Sequence, residues 1–73
     1  MANKESLIAL KSASAVLDFA NAEYGVSKKI KAVTLANGAK EVTLYKSDNS
    51  EFSGEGLTNL EAVADAVSKA FPA

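Results

Sequence analysis

The sequence predicts a small α+β domain of order α-β-β-(β)-α, an antiparallel β-meander with two helices on one face. Three observations lead there. Two runs rich in β-branched residues, Lys28 to Ala36 and Ala39 to Ser47, flank an Asn37-Gly38 pair, the strongest short-range signal for a hairpin. Helical periodicity occupies the chain before this ribbon and again after Thr58. The 73 residues make a single domain, 1–73, that buries only about 60% of the surface its unfolded chain exposes.

The first helix is expected from Asn3 to Tyr24. Asn3 is a suitable N-cap, Glu5 suits the positive end of the helix dipole, and Gly25 fits the position just past the C-terminus, with Val26 as its apolar contact. Leu7, Leu10, Leu17 and Tyr24 form one stripe, while Ile8, Val16 and Phe19 fall on another side. That is more apolar circumference than a helix on one sheet requires. Either both stripes are core, or Ile8 and Phe19 face a second copy or another protein.

A two-residue Asn37-Gly38 turn pairs Ala36 with Ala39, Leu35 with Lys40 and Val33 with Val42. Alternation then puts Val33, Leu35, Val42 and Leu44 on the face under the helices. Ile30, Ala32, Thr34, Glu41, Thr43 and Tyr45 share the other face, half-apolar and suited to binding. Residues from Ser47 to Thr58 read as loop, with a short third strand around Phe52 as an option that would steady a marginal two-stranded ribbon. The last helix starts at a capping box, Thr58-Asn-Leu-Glu61, and ends near Ala70 because Pro72 cannot continue it. Leu60, Val63, Ala64, Val67 and Phe71 make its single apolar stripe.

The composition excludes more chemistry than it suggests. There is no cysteine and no histidine, so disulfides, thiolate chemistry and the usual zinc designs are out, and no histidine can activate a serine. No catalytic residue, metal ligand or cofactor site is expected. The acids Asp48, Glu51 and Glu55 crowd the loop, but from Asp48 the sixth position is Ser53 where a calcium loop needs glycine. Gly54 and Gly56 approach a helix N-terminus, yet Asn59 stands where a dinucleotide fingerprint has its third glycine. Both glycines are read as turn residues.

The net charge is −1, from nine acids and eight bases, all of the bases lysine. No global field draws the chain to nucleic acid. Lys28, Lys29 and Lys31 form the basic cluster, and strand alternation splits it between two faces. Nucleic-acid binding is therefore the third choice. No apolar run approaches the roughly 18 residues of a membrane span, and the polar start of the chain lacks a signal-peptide pattern. A cytoplasmic protein, or one assembled into a particle, is expected.

The function expected is a non-enzymatic protein–protein interaction module. It would act as a homo-oligomer or as a small structural or accessory subunit of a larger assembly, a phage particle included. The alternative is a small inhibitor or regulator of one host protein. The partner-binding candidates are Ile30, Thr34, Thr43 and Tyr45 on the sheet, with Ile8 and Phe19 on the first helix.

Overall fold

The computed structural model describes residues 3–72; Met1, Ala2 and Ala73, including the start of the polar stretch read above, lie outside them. The elements run α1 (Lys4–Ile8), α2 (Ala13–Tyr24), β1 (Ile30–Thr34), β2 (Lys40–Tyr45), β3 (Glu51–Gly56) and α3 (Asn59–Ala70). The strands form one antiparallel sheet in the order β1-β2-β3. The fold is α+β with an antiparallel meander, as the sequence predicts, and the optional third strand is formed.

The expected first helix is two helices. Asn3 caps the first, its Oδ1 accepting from the amides of Glu5 and Ser6 at 2.9 and 3.3 Å. The chain then turns through Lys11 at φ 70°, and Ser12 caps the second helix by accepting from the Ala15 amide at 3.1 Å. A serine hydroxyl that can satisfy the orphan amides of a new helix start competes with continuing the old helix. Helix α2 ends as expected at Gly25, φ 69°, with Val26 fully buried beyond it. The break leaves Leu10 41% exposed while Leu7, Val16, Leu17 and Ala20 enter the core.

The hairpin forms with a different register. Leu35 pairs with Ala39 across a three-residue loop, its amide donating to the Ala39 carbonyl at 2.8 Å. Thr34 then faces Lys40, and Ala32 faces Val42. Only Gly38 takes positive φ, 87°; the Asn37 side chain instead accepts from the Ala39 amide at 3.0 Å. This is the turn-plus-left-handed-residue loop rather than the two-residue one. The β2–β3 turn repeats it, with Asn49 at φ 68° and Asp48 Oδ1 accepting from the Ser50 amide at 3.0 Å.

A one-residue slip turns every β1 side chain to the opposite face. Ile30, Ala32 and Thr34 therefore share the helix side with Val42, Leu44, Phe52, Gly54 and Gly56. Val33, expected in the core, is on the outer face and 43% exposed. Leu35 follows it to that side, in the loop after β1.

Helix α3 is the central element rather than a one-sided cover. It packs on β2 and β3, and both α1 and α2 pack on it. Ala62, Val63, Ala64, Ala66 and Val67 are all fully buried. The capping box forms with one change: Thr58 Oγ1 accepts from the Glu61 amide, but Glu61 Oε2 takes the amide of Leu57.

Gly54 and Gly56 are strand residues, not turn residues. A Cβ on Gly54 would overlap the Ala66 amide nitrogen and stand 2.6 Å from the Ala62 carbonyl oxygen. One on Gly56 would stand 2.8 Å from the Ala62 nitrogen. Helix backbone rests directly on strand backbone here, with Ala62 and Ala66 over Gly54 and Glu61 and Ala62 over Gly56, an approach that needs glycine in the strand.

Candidate functional site

The sheet has two edges, and the fold treats them differently. On β3 the pairing with β2 directs the amides of Glu51, Ser53 and Glu55, and of Leu57 beyond the strand, outward. Helix α3 supplies acceptors for two of them. Asp65 Oδ2 takes the Glu55 amide at 3.1 Å, and Glu61 Oε2 takes the Leu57 amide at 3.0 Å.

Asp65 is itself held on several sides. Its side chain is 13% exposed, and Lys69 and Lys4 approach it at 2.9 and 3.5 Å. Burial pushes its carboxyl up, but the Lys69 and Glu55 hydrogen bonds and the charges of Lys69 and Lys4 more than reverse this, leaving it below the usual carboxylate value. The same contacts raise Lys69.

On β1 the Leu35–Ala39 bond sets the opposite alternation, so Ile30, Ala32 and Thr34 turn their N–H and C=O groups to the open side. Among the described residues no side chain caps these groups. The helices lie over β2 and β3, and all of β1 beyond Ile30 is exposed. An uncovered edge is a template for another strand.

Charge is organised along this edge. Lys28 pairs with Asp18 of α2 at 3.0 Å, whereas Lys29 and Lys31 are exposed and make no ion pair among the described residues. Lys29 also lines an open cavity of about 420 Å³ at the start of β1, with Ser27, Ile30, Tyr45 and Asn49. No carboxylate lines it.

The structure brings together some of the sequence's partner-binding candidates and separates others. Ile30 and Tyr45 line the same cavity. Thr34 is on the helix side of the sheet, where its Oγ1 accepts from Lys40 Nζ at 2.8 Å, and Thr43 is on the outer side. Ile8 and Phe19 are elsewhere, partly buried against the chain's own core.

Phe19 belongs to an aromatic group that the sequence does not reveal. Its ring meets Tyr24 edge-on at 6.2 Å, Tyr24 stacks on Phe71 at 4.2 Å, and Phe52 meets Phe71 edge-on at 5.8 Å. Lys46 Nζ lies 5.4 Å from the Phe71 centroid. The group ties the ends of α2 and α3 to β3, and its rings are engaged with one another.

The acidic loop residues are dispersed. Asp48 serves the turn, taking the Ser50 hydroxyl at 2.6 Å as well as its amide, and these bonds lower its pKa. Glu51 and Glu55 are on β3, facing out. Among the described residues, no helix is long and apolar enough to cross a membrane. The chain matches no protein-family model, no curated protein and no solved structure.

Proposed function

We propose that this chain is a non-catalytic protein-interaction module, an accessory subunit that takes a strand of its partner onto the open edge of β1. One observation supports the reading above others. Two carboxylates of α3 take the outward amides of Glu55 and Leu57 at the helix end of the β3 edge, whereas none of the outward backbone groups of Ile30, Ala32 and Thr34 has a side-chain partner among the described residues. Strand addition uses such groups for affinity and alternate side chains for specificity.

The test replaces Ala32 by proline. Proline is tolerated on an edge strand where its nitrogen faces away from the sheet, so Ala32→Pro removes one outward donor and leaves the β1–β2 pairing in place. We expect partner capture to be lost with the circular-dichroism spectrum unchanged. Undiminished capture would show that the edge is not the interface. Self-association is the other form of the reading and predicts a sedimentation mass above 7.6 kDa.

A further inference from the structure

We infer that the partner strand is acidic: an extended peptide segment of another protein, with carboxylates at alternate positions and apolar side chains between them. The inference rests on the strand-addition reading and adds the chemistry of the occupant.

The two faces of β1 differ. Lys31 and Val33 stand on its outer side, with Lys29 just before the strand at the same alternation, and Ile30, Ala32 and Thr34 stand on its helix side. An added strand continues this alternation. Its outward side chains come beside Lys29 and Lys31, and its inward side chains beside Ile30 and Ala32. Carboxylates outward and small apolar groups inward complement both rows at once. The cavity at the start of β1 favours the same sign of charge. Lys29, Tyr45, Ser27 and Asn49 line it, all able to donate a hydrogen bond, and no acid does.

A second copy fits less well. Joined antiparallel about Ala32, two β1 edges would set Lys31 against Val33 of the other copy, and registers shifted toward the strand start would set lysine against lysine, a destabilising pair; neither arrangement gives the lysines an acidic partner. Lysines at an edge oppose such pairing while leaving the backbone groups free for a strand of opposite charge. Nucleic acid would find no arginine here, and the Lys28 charge is held by Asp18.

The probe is a synthetic heptapeptide alternating Glu and Val, titrated into the full chain and followed by amide NMR and hydrogen exchange. We expect saturable shifts and new protection at the Ile30, Ala32 and Thr34 amides. The double variant Lys29→Glu with Lys31→Glu should bind about tenfold more weakly or worse, and added salt should weaken the native complex. A version of the peptide N-methylated along its pairing edge should not bind. Equal binding by a Lys–Val heptapeptide, or by the N-methylated one, would overturn the inference. So would a single-stranded DNA that binds more tightly than the peptide and leaves the three amides unprotected. If the acidic peptide has no effect but the chain protects these amides by self-association, the occupant is a second copy: this inference falls and the strand-addition reading stands. If Ala32→Pro leaves partner capture intact, the reading itself falls.

Discussion

The β3 flank and the β1 flank belong to one three-stranded sheet and have opposite surroundings. On β3, glycine backbone meets helix backbone, and α3 carboxylates take the amides of Glu55 and Leu57. On β1, the strand beyond Ile30 is exposed on both faces and its outer edge is open. The core is gathered on one side of the sheet, and the opposite edge is left uncovered. Among the described residues, the twelve buried hydrophobic residues are gathered around α3; β1 contributes pairing to β2 and presents an edge.

The sharpest way to break this contrast is Gly54→Ala. The new methyl has backbone on its helix side, which cannot move as a flexible side chain would. We expect a loss of about 3 kcal/mol or more in urea unfolding, the upper range for overpacking. A loss near zero would mean that α3 does not rest on β3 as described.

Asp65→Ala should come second, at about 2 kcal/mol, because it removes a charged acceptor and leaves the Glu55 amide facing outward unpaired. The same carboxylate carries a pH dependence. Its folded pKa lies below its unfolded one, so its contribution is fully present above about pH 4 and disappears as the pH falls through the folded value. Unfolding measured from neutral to acid pH should therefore show a steeper decline in the native chain than in Asp65→Ala.

Much of the fold is legible in the sequence, and what is not has identifiable causes. Asn3, Gly25 and Thr58 act locally, through caps formed within a few residues, and each stands where the sequence places it. The hairpin is legible too, but its register depends on whether Asn37 takes positive φ or uses its side chain on the Ala39 amide. That choice moves Val33 out of the core and Ile30, Ala32 and Thr34 to the helix side. Ser12 is a local signal that a continuous apolar stripe conceals. Gly54 and Gly56 depend on tertiary approach: glycines two apart in a strand share a face, which is the signal that a helix could lie close. The candidate site is legible in part. Ile30 and Tyr45 meet at one cavity, whereas Asp65 covering an edge ten residues away could not be read from spacing alone.

On the β1 flank the effects should be small. Val33→Thr and Lys31→Thr each should change stability by no more than about 0.5 kcal/mol in the same urea experiment, since neither side chain is buried or ion-paired. A loss several times larger at Val33 would indicate that its outer face is already covered by a second copy at the concentration used.

The most direct test of the divided sheet is residue-resolved amide hydrogen exchange on the free chain. Glu55 and Leu57 should exchange slowly, held by Asp65 and Glu61, while Ile30, Ala32 and Thr34 should exchange much faster than Lys31 and Val33 of the same strand. Equal protection of all five β1 amides in a dilute monomer would contradict the account.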